Sequence, residues 1–544
     1  MDPTFRDVLE DLQGNILTGH GRYHAVHFFL HFHTSRKESI KRWIASFASR
    51  YITSAWAQVE QSIAYRENDI DAGVFGHFAL SAEGYRVFGI PEEQIPRGAD
   101  PRNRGNSASN LMQCEPSESK EPATEGRNNQ EGDQNPNVGA YSDVFRDGMA
   151  SRQGFLLDPP QKQWEEGYTD KAIHAMFFLA ADDPAEMIAV ERIVVAELNG
   201  VAEIIVGERG MNLKKRFSPS DPEDGVAVEH FGYVDGRSQP LFLRRQAERE
   251  THNGAGSFWD PRAPLSLVLV PDPNGSPNRS FGSFLVYRKL EQNVQAFRLA
   301  ERQVAKELGL PLELVGAMAV GRFKDGTPLV LQPGDGTRPI PNDFNYSGDP
   351  GGVTCPFHAH IRKTNPRLES VRSDGTFARS VEEELGHRIA RRAIPYGGSL
   401  SESNSPDDLP TGGVGLLFFC YQADIWEQFE FMQRFWSNNP RFLQPDFDTA
   451  ENAKNGTKPL PEEQRAGSKN YPDQTGLDAV IGQKIDGDKD PLIREEAQPP
   501  RHWPRAWGKA PTRPVETNFA QFVTLKGGGY FFSPCLSFLK SLGH

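Results

Sequence analysis

Cys355 to Arg367 reads CPFHAHIRKTNPR, two histidines two residues apart with Arg362, Lys363 and Arg367 close behind. In an extended segment residues i and i+2 face the same way, so His358 and His360 could grip one metal ion. That chemistry needs a third ligand. Glu369, Glu384 and His387 follow, none at a spacing typical of a metal motif. His31 and His33 repeat the pattern inside an apolar run, where a plain structural pair explains it as well. A second segment, FGYVDGRSQP (231–240), contains the turn dipeptide Asp-Gly and a stop at Pro240. Its aromatic context could instead set Asp235 in a partly apolar pocket. There a carboxylate can shuttle protons if a cation keeps it ionised. The third segment, RIARRAIPYGG (388–398), is expected to be helical, with Arg391 and Arg392 pointing in different directions. At most one of them then faces a given site; the alternative is a solvated basic helix end.

Positioning such groups takes a scaffold, and one pattern recurs: an apolar strand, a short polar turn, then an amphipathic helix. HAVHFFLHF (24–32) precedes Ile40, Trp43, Ile44, Phe47 and Tyr51 at helical spacing. IHAMFFLA (173–180) precedes Asp183-Pro184, an N-cap with proline at the first helical position, and then Met187, Val190, Val194 and Leu198. GSFLVYR (282–288) precedes Leu290, Val294 and Phe297, and GLLFFCY (415–421) precedes Ile425, Phe429, Met432 and Trp436. Two such units before residue 240 and two after predict a duplicated α+β fold, each half a mostly antiparallel sheet with helices on one face. The expected domains are 1–240 and 241–544. GLLFFCY is apolar at both parities, so a ligand or the other domain's sheet must supply its second cover.

At 544 residues the chain is too long for one core, and 51 glycines with 41 prolines suggest long loops. Residues 97–142 read as a disordered insertion and 447–515 as a loop-rich region; neither looks catalytic. A net charge of −13 argues against a nucleic acid or an anionic membrane as partner. A local basic cluster in such a chain points to a small anionic ligand. Four scattered cysteines without CxxC spacing make neither a disulfide scaffold nor structural zinc. The first residues lack the apolar core of a signal peptide, and no run is long and apolar enough to cross a bilayer. The expectation is a cytoplasmic protein, or a secreted one if a leader was removed.

Taken together the three segments resemble the dye-decolourising peroxidases, haem enzymes with two ferredoxin-like domains, and most of all the long-chain fungal-type branch. Gly232-Tyr-Val-Asp235-Gly236 fits the family's G-x-x-D-G motif, and CPFHAHIRKTNPR looks like its haem-ligand segment. DLQGNIL (11–17), GHGR (19–22), GRFKDGTPL (321–329), RRAIPYG (391–397) and GLLFFCYQADI (415–425) extend the match over both halves.

The resemblance implies haem b, one per chain, held mainly by the C-terminal half with His360 as axial ligand. It implies Asp235 as the distal acid–base residue, Arg391 as the distal arginine, and Leu416 and Phe418 as apolar distal residues. Arg367 is the candidate partner for a haem propionate. Tyr396 and Trp436 match positions proposed to carry radicals toward the surface, although Trp436 also continues an apolar stripe. Hydrogen peroxide and bulky aromatic donors such as dyes or phenols are the implied substrates, with an acid optimum, since an aspartate beside a cation stays ionised where histidine would not. Competing readings are a haem-sequestering protein on the same fold, and a non-haem metalloenzyme using His358 and His360. The family commonly has a small residue where His358 stands.

Overall fold

Four apolar runs of the first half form strands β1 (His24–Phe32), β2 (Phe75–Leu80), β3 (Ala175–Ala181) and β4 (Ala202–Met211). The computed structural model describes residues 5–68, 70–98, 143–252, 256–371, 378, 380–400, 403, 405–443, 475–483, 503–509, 519 and 521–543. The expected insertion at 97–142 therefore falls, apart from its first two residues, outside the described residues. In the second half the strands are β5 (Phe281–Gln292), β6 (Ile394–Tyr396), β7 (Gly415–Gln422) and β8 (Val523–Ser533). All eight join one antiparallel sheet in the order β6–β7–β5–β8–β2–β3–β1–β4. Each set of four thus runs second, third, first, fourth, and the sets meet where Phe532 of β8 pairs with Leu80 of β2.

Every residue of β2 and β3 is buried, so both faces of the sheet are covered. Helix α1 (Lys37–Arg50) supplies one cover with Ile40, Trp43, Ile44 and Phe47, the periodic set expected of it. Trp43 and Phe47 lie on Phe177 with ring centroids 5.7 and 5.1 Å apart. Helix α2 (Pro184–Leu198) starts where the sequence signals it, with the Asp183 carboxylate accepting from the Ala185 N–H. The second cover is the other half of the sheet. Phe178 of β3 meets Phe419 of β7 at 5.8 Å, and His27 of β1 meets Tyr287 of β5 at 6.2 Å. Leu416 and Phe418, on the opposite face of β7, are only half-buried.

Three local expectations are corrected. Leu290 belongs to β5 rather than to the next helix, because pairing continues to Gln292 and the Asn293 side chain caps α3 (Val294–Leu308). Arg391 is extended, not helical: Ala390–Arg391 pairs with Tyr421 and Cys420, and Pro395 follows within β6. Ladder hydrogen bonds to β7 outweigh the local helical pattern. After β7 the chain forms two π-helical segments, Ile425–Glu430 and Met432–Ser437, a wide coil often found at functional sites. Among the described residues, no helix is long and apolar enough to cross a membrane.

Candidate active site

His360, Asp235, Arg391, Arg367, Leu416 and Phe418 all line one cavity of about 560 Å³. These residues come from distant parts of the chain, and the fold brings them together for local reasons. Gly232 and Gly236 hold φ values of +83° and +76°, which a β-carbon disfavours, and so fold the Asp235 loop back on itself. Val234 donates to the Lys324 carbonyl and Asp235 to that of Ala227, which fixes the loop against the GRFKDG run. Arg391 presents its side chain from an extended backbone, donating through Nη2 to the Arg237 carbonyl at 2.9 Å. Its Nη1 lies 4.0 Å from Asp235 Oδ1, with about a third of each side chain exposed (31% and 29%). An ion pair this long and open contributes about 0–1 kcal/mol at most, so its use is placement rather than stability. Arg392 turns the other way and donates to the carbonyls of Asn15 and Ile16 at 2.8 Å. That contact gives the DLQGNIL segment a structural role. Leu416 and Phe418 supply the apolar wall, helped by Phe429 and Met432 of the π-helical segments.

His360 opens the short helix α4 (His360–Thr364). Its Nδ1 lies 2.9 Å from Oδ2 of Asp478, a fully buried carboxylate. Burial alone would raise the Asp478 carboxyl. The His360 ring and the backbone N–H groups of Ile481 and Val480 outweigh burial and hold it below its ordinary value. With Nδ1–H spent on Asp478, the lone pair of Nε2 is available to a metal ion. Asp478 lies inside the 447–515 region, which does not look catalytic in the sequence, and contacts a candidate site residue from there. Only its 118-residue separation hid it, since the partner sits in a loop with no strand or helix pattern.

The other residues of CPFHAHIRKTNPR separate into distinct roles. His358 is buried with its ring 4.5 Å from that of Trp503, and its carbonyl accepts from Ala479 at 3.0 Å. It therefore braces the loop that carries Asp478. The fully buried Arg362 pairs with Asp349 and Glu369, and Lys363 donates to the carbonyls of Asn439 and Phe442. Arg367 spends its Nη atoms on Asn342, Phe344 and Ser238, so its partners here are internal. Glu384 accepts from the backbone of Leu368 and Ser370, and His387 lies stacked on Phe431. Among the described residues, no three His, Cys, Asp or Glu side chains are grouped to hold a metal ion. Tyr396 and Trp436, the possible surface radical sites, are buried (8% and 3% exposed). Tyr396 Oη has no hydrogen-bond partner among the described residues, and Trp436 is stacked on Phe442.

A family model described as "Dyp-type peroxidase, C-terminal" matches residues 321–449, the stretch holding His360, Arg367, Arg391, Leu416 and Phe418. The chain is 42% identical over 398 residues to the multifunctional dye peroxidase DyP2 of Amycolatopsis sp., covering 71% of this chain and 75% of that protein. It is 28% identical over 430 residues to the dye-decolorizing peroxidase msp1 of the fungus Mycetinis scorodonius, covering 73% and 72%. Among solved structures, a DyP-type peroxidase of Anabaena superposes with a TM-score of 0.76 at 37% identity, over 99% of this chain and 95% of that one. DyP2 gives a TM-score of 0.77 at 33% identity, over 99% and 97%. The expected proximity to the fungal-type branch is thus corrected: these bacterial relatives share more identity than the fungal one.

Proposed function

The chain belongs to the DyP-type peroxidase family, and from that premise we propose that it reduces hydrogen peroxide with Asp235 and Arg391 while bulky aromatic donors supply single electrons. The family implies haem, and the residues present suit one haem b per chain. The cavity combines apolar walls, a histidine whose Nδ1 is tied to a carboxylate, and the buried cations Arg322 and Arg367. His360 would hold the haem iron, Leu416 and Phe418 would give it apolar cover, and the charge of Arg367 would favour its propionates. When bound, the haem supplies the redox equivalents. Asp235 takes the proton from one peroxide oxygen and returns it to the departing one, and the Arg391 guanidinium stabilises negative charge as the O–O bond breaks.

The single observation that carries this reading is the convergence of His360, Asp235 and Arg391 on one cavity. A protein that only sequesters haem needs neither Asp235 nor Arg391. The duplicated ferredoxin-like organisation, with domains 1–240 and 241–544, is part of the same proposal and is supported by the repeated strand order. The test is the spectrum of protein expressed with haem supply, before and after one equivalent of peroxide. A Soret band that shifts with peroxide is expected. No band defeats both haem readings, and a band indifferent to peroxide leaves only the sequestering one.

Asp478 gives a second expectation. Partners of metal-bound histidines typically account for about 10–100-fold in affinity or activity. Asp478→Ala should weaken haem retention by that order, measured as the rate of haem transfer to excess apomyoglobin. An unchanged rate would remove Asp478 from the axial system.

A further inference from the structure

Two buried arginines, Arg322 and Arg367, and the half-buried Arg388 line the same cavity, and shared neighbours link them. Arg322 and Arg367 both donate to Ser238 Oγ, at 3.1 and 2.9 Å. Arg367 and Arg388 both lie over the Trp259 ring, at 5.0 and 5.8 Å. Their acceptors are carbonyls, an amide oxygen and a hydroxyl; among the described residues none of the three makes an ion pair with a carboxylate. Burial accordingly pulls Arg322 down to about 9 and both Arg367 and Arg388 down to about 10. Arg388 differs from the other two in one respect. Its Nε donates to the Leu385 carbonyl at 3.1 Å and its Nη2 to that of Arg262 at 3.2 Å, while the buried Nη1 has no hydrogen-bond partner among the described residues. A buried guanidinium N–H without an acceptor is unfavourable. Asp260 and Glu384 are charged neighbours of Arg388 but form no ion pair with it among the described residues, and the cavity lining as a whole holds more arginines than carboxylates.

We propose that Arg388, backed by the charges of Arg322 and Arg367, is a carboxylate receptor in the wall of the haem cavity. The Nη1–H donor is the unfilled position, Trp259 holds the guanidinium plane, and a planar carboxylate matches a guanidinium better than it matches an ammonium. Under the peroxidase reading, on which this rests, the carboxylate has two sources: a haem propionate or a carboxylated aromatic donor. Arg367 cannot take this part as readily, because its Nη atoms are already bonded within the protein.

The experiment compares wild type, Arg388→Gln and Arg388→Lys, each checked by circular dichroism and thermal melting. If a propionate is the ligand, Arg388→Gln should speed haem transfer to apomyoglobin by about tenfold, the scale of a charge-assisted hydrogen bond. Lysine should rescue part of this. If the donor is the ligand, haem transfer is unchanged, but the Kd for 4-hydroxybenzoate rises by about tenfold while that for phenol stays constant. Folded variants with both readouts unmoved overturn the proposal, as does a water-filled position, which would give that same result. Should Arg388→Gln fail to fold, Arg388→Lys read by the same two assays decides the matter. The wild-type Soret band tests the haem reading separately, and 4-hydroxybenzoate binding can be measured on a chain that lacks it.

Discussion

Asp235→Asn is expected to slow the reaction with hydrogen peroxide by about 10²–10⁴-fold, the usual share of a general acid–base residue. The substitution keeps the shape of the side chain and its oxygen facing the Gly236 N–H, which donates to Oδ1 at 2.6 Å. The loop should therefore survive, because its form depends on Gly232, Gly236 and the bonds to Lys324 and Ala227. What would be lost is the basic oxygen proposed to receive a peroxide proton. The cofactor should be retained, since His360 and Asp478 lie on other segments. The measurement is stopped-flow absorbance at the Soret band with one equivalent of peroxide. A rate within a factor of about three of wild type, well below the acid–base range, would move the proton transfer to another residue.

Which parts were legible in the sequence follows from how local their causes are. The strands HAVHFFLHF and IHAMFFLA, the periodic face of α1 and the Asp183-Pro184 cap are set by neighbouring residues, and all were readable. GLLFFCY is apolar at both parities; the opposing half of the sheet covers one face, whereas Leu416 and Phe418 on the other are half-buried and face the cavity. The segment around Arg391 was misread because local periodicity favoured a helix, whereas pairing with residues 420 and 421 decided the outcome. The conclusion that Arg391 and Arg392 diverge survives on a different ground, the alternation of side chains along an extended chain.

Trp436 shows the local case again. Its place in an apolar stripe points to the core, where it lies. Asp478 was beyond reach altogether. A lone aspartate in a loop carries no pattern, and its meaning arises only when backbone contacts to Ser437 and His358 seat it beside His360. Arg388 stands in the RIARRAIPYGG segment, but its unfilled donor is a property of packing and has no sequence signature.

His360→Ala should purify without a Soret band, whereas His358→Ala should keep one, a difference that separates two histidines only two residues apart. His360 lines the cavity, and Asp478 holds its Nδ1, orienting the ring and strengthening the donor at Nε2. Removing it takes the imidazole from Asp478 and, under the proposed function, the ligand from the cofactor. His358 is packed against Trp503, and its link to the Asp478 loop runs through its backbone carbonyl, which alanine retains. Its loss should therefore appear as stability, about 2–3 kcal/mol by analogy with other buried large-to-small changes, rather than as loss of ligation. Denaturant melts of the two variants and their Soret absorbance per chain report these effects independently. Imidazole added to a His360→Gly variant should restore the band, because the cavity vacated by the side chain still ends at Asp478. A Soret band retained in His360→Ala and lost in His358→Ala would reassign the ligand, and with it the side of the cavity on which peroxide reacts.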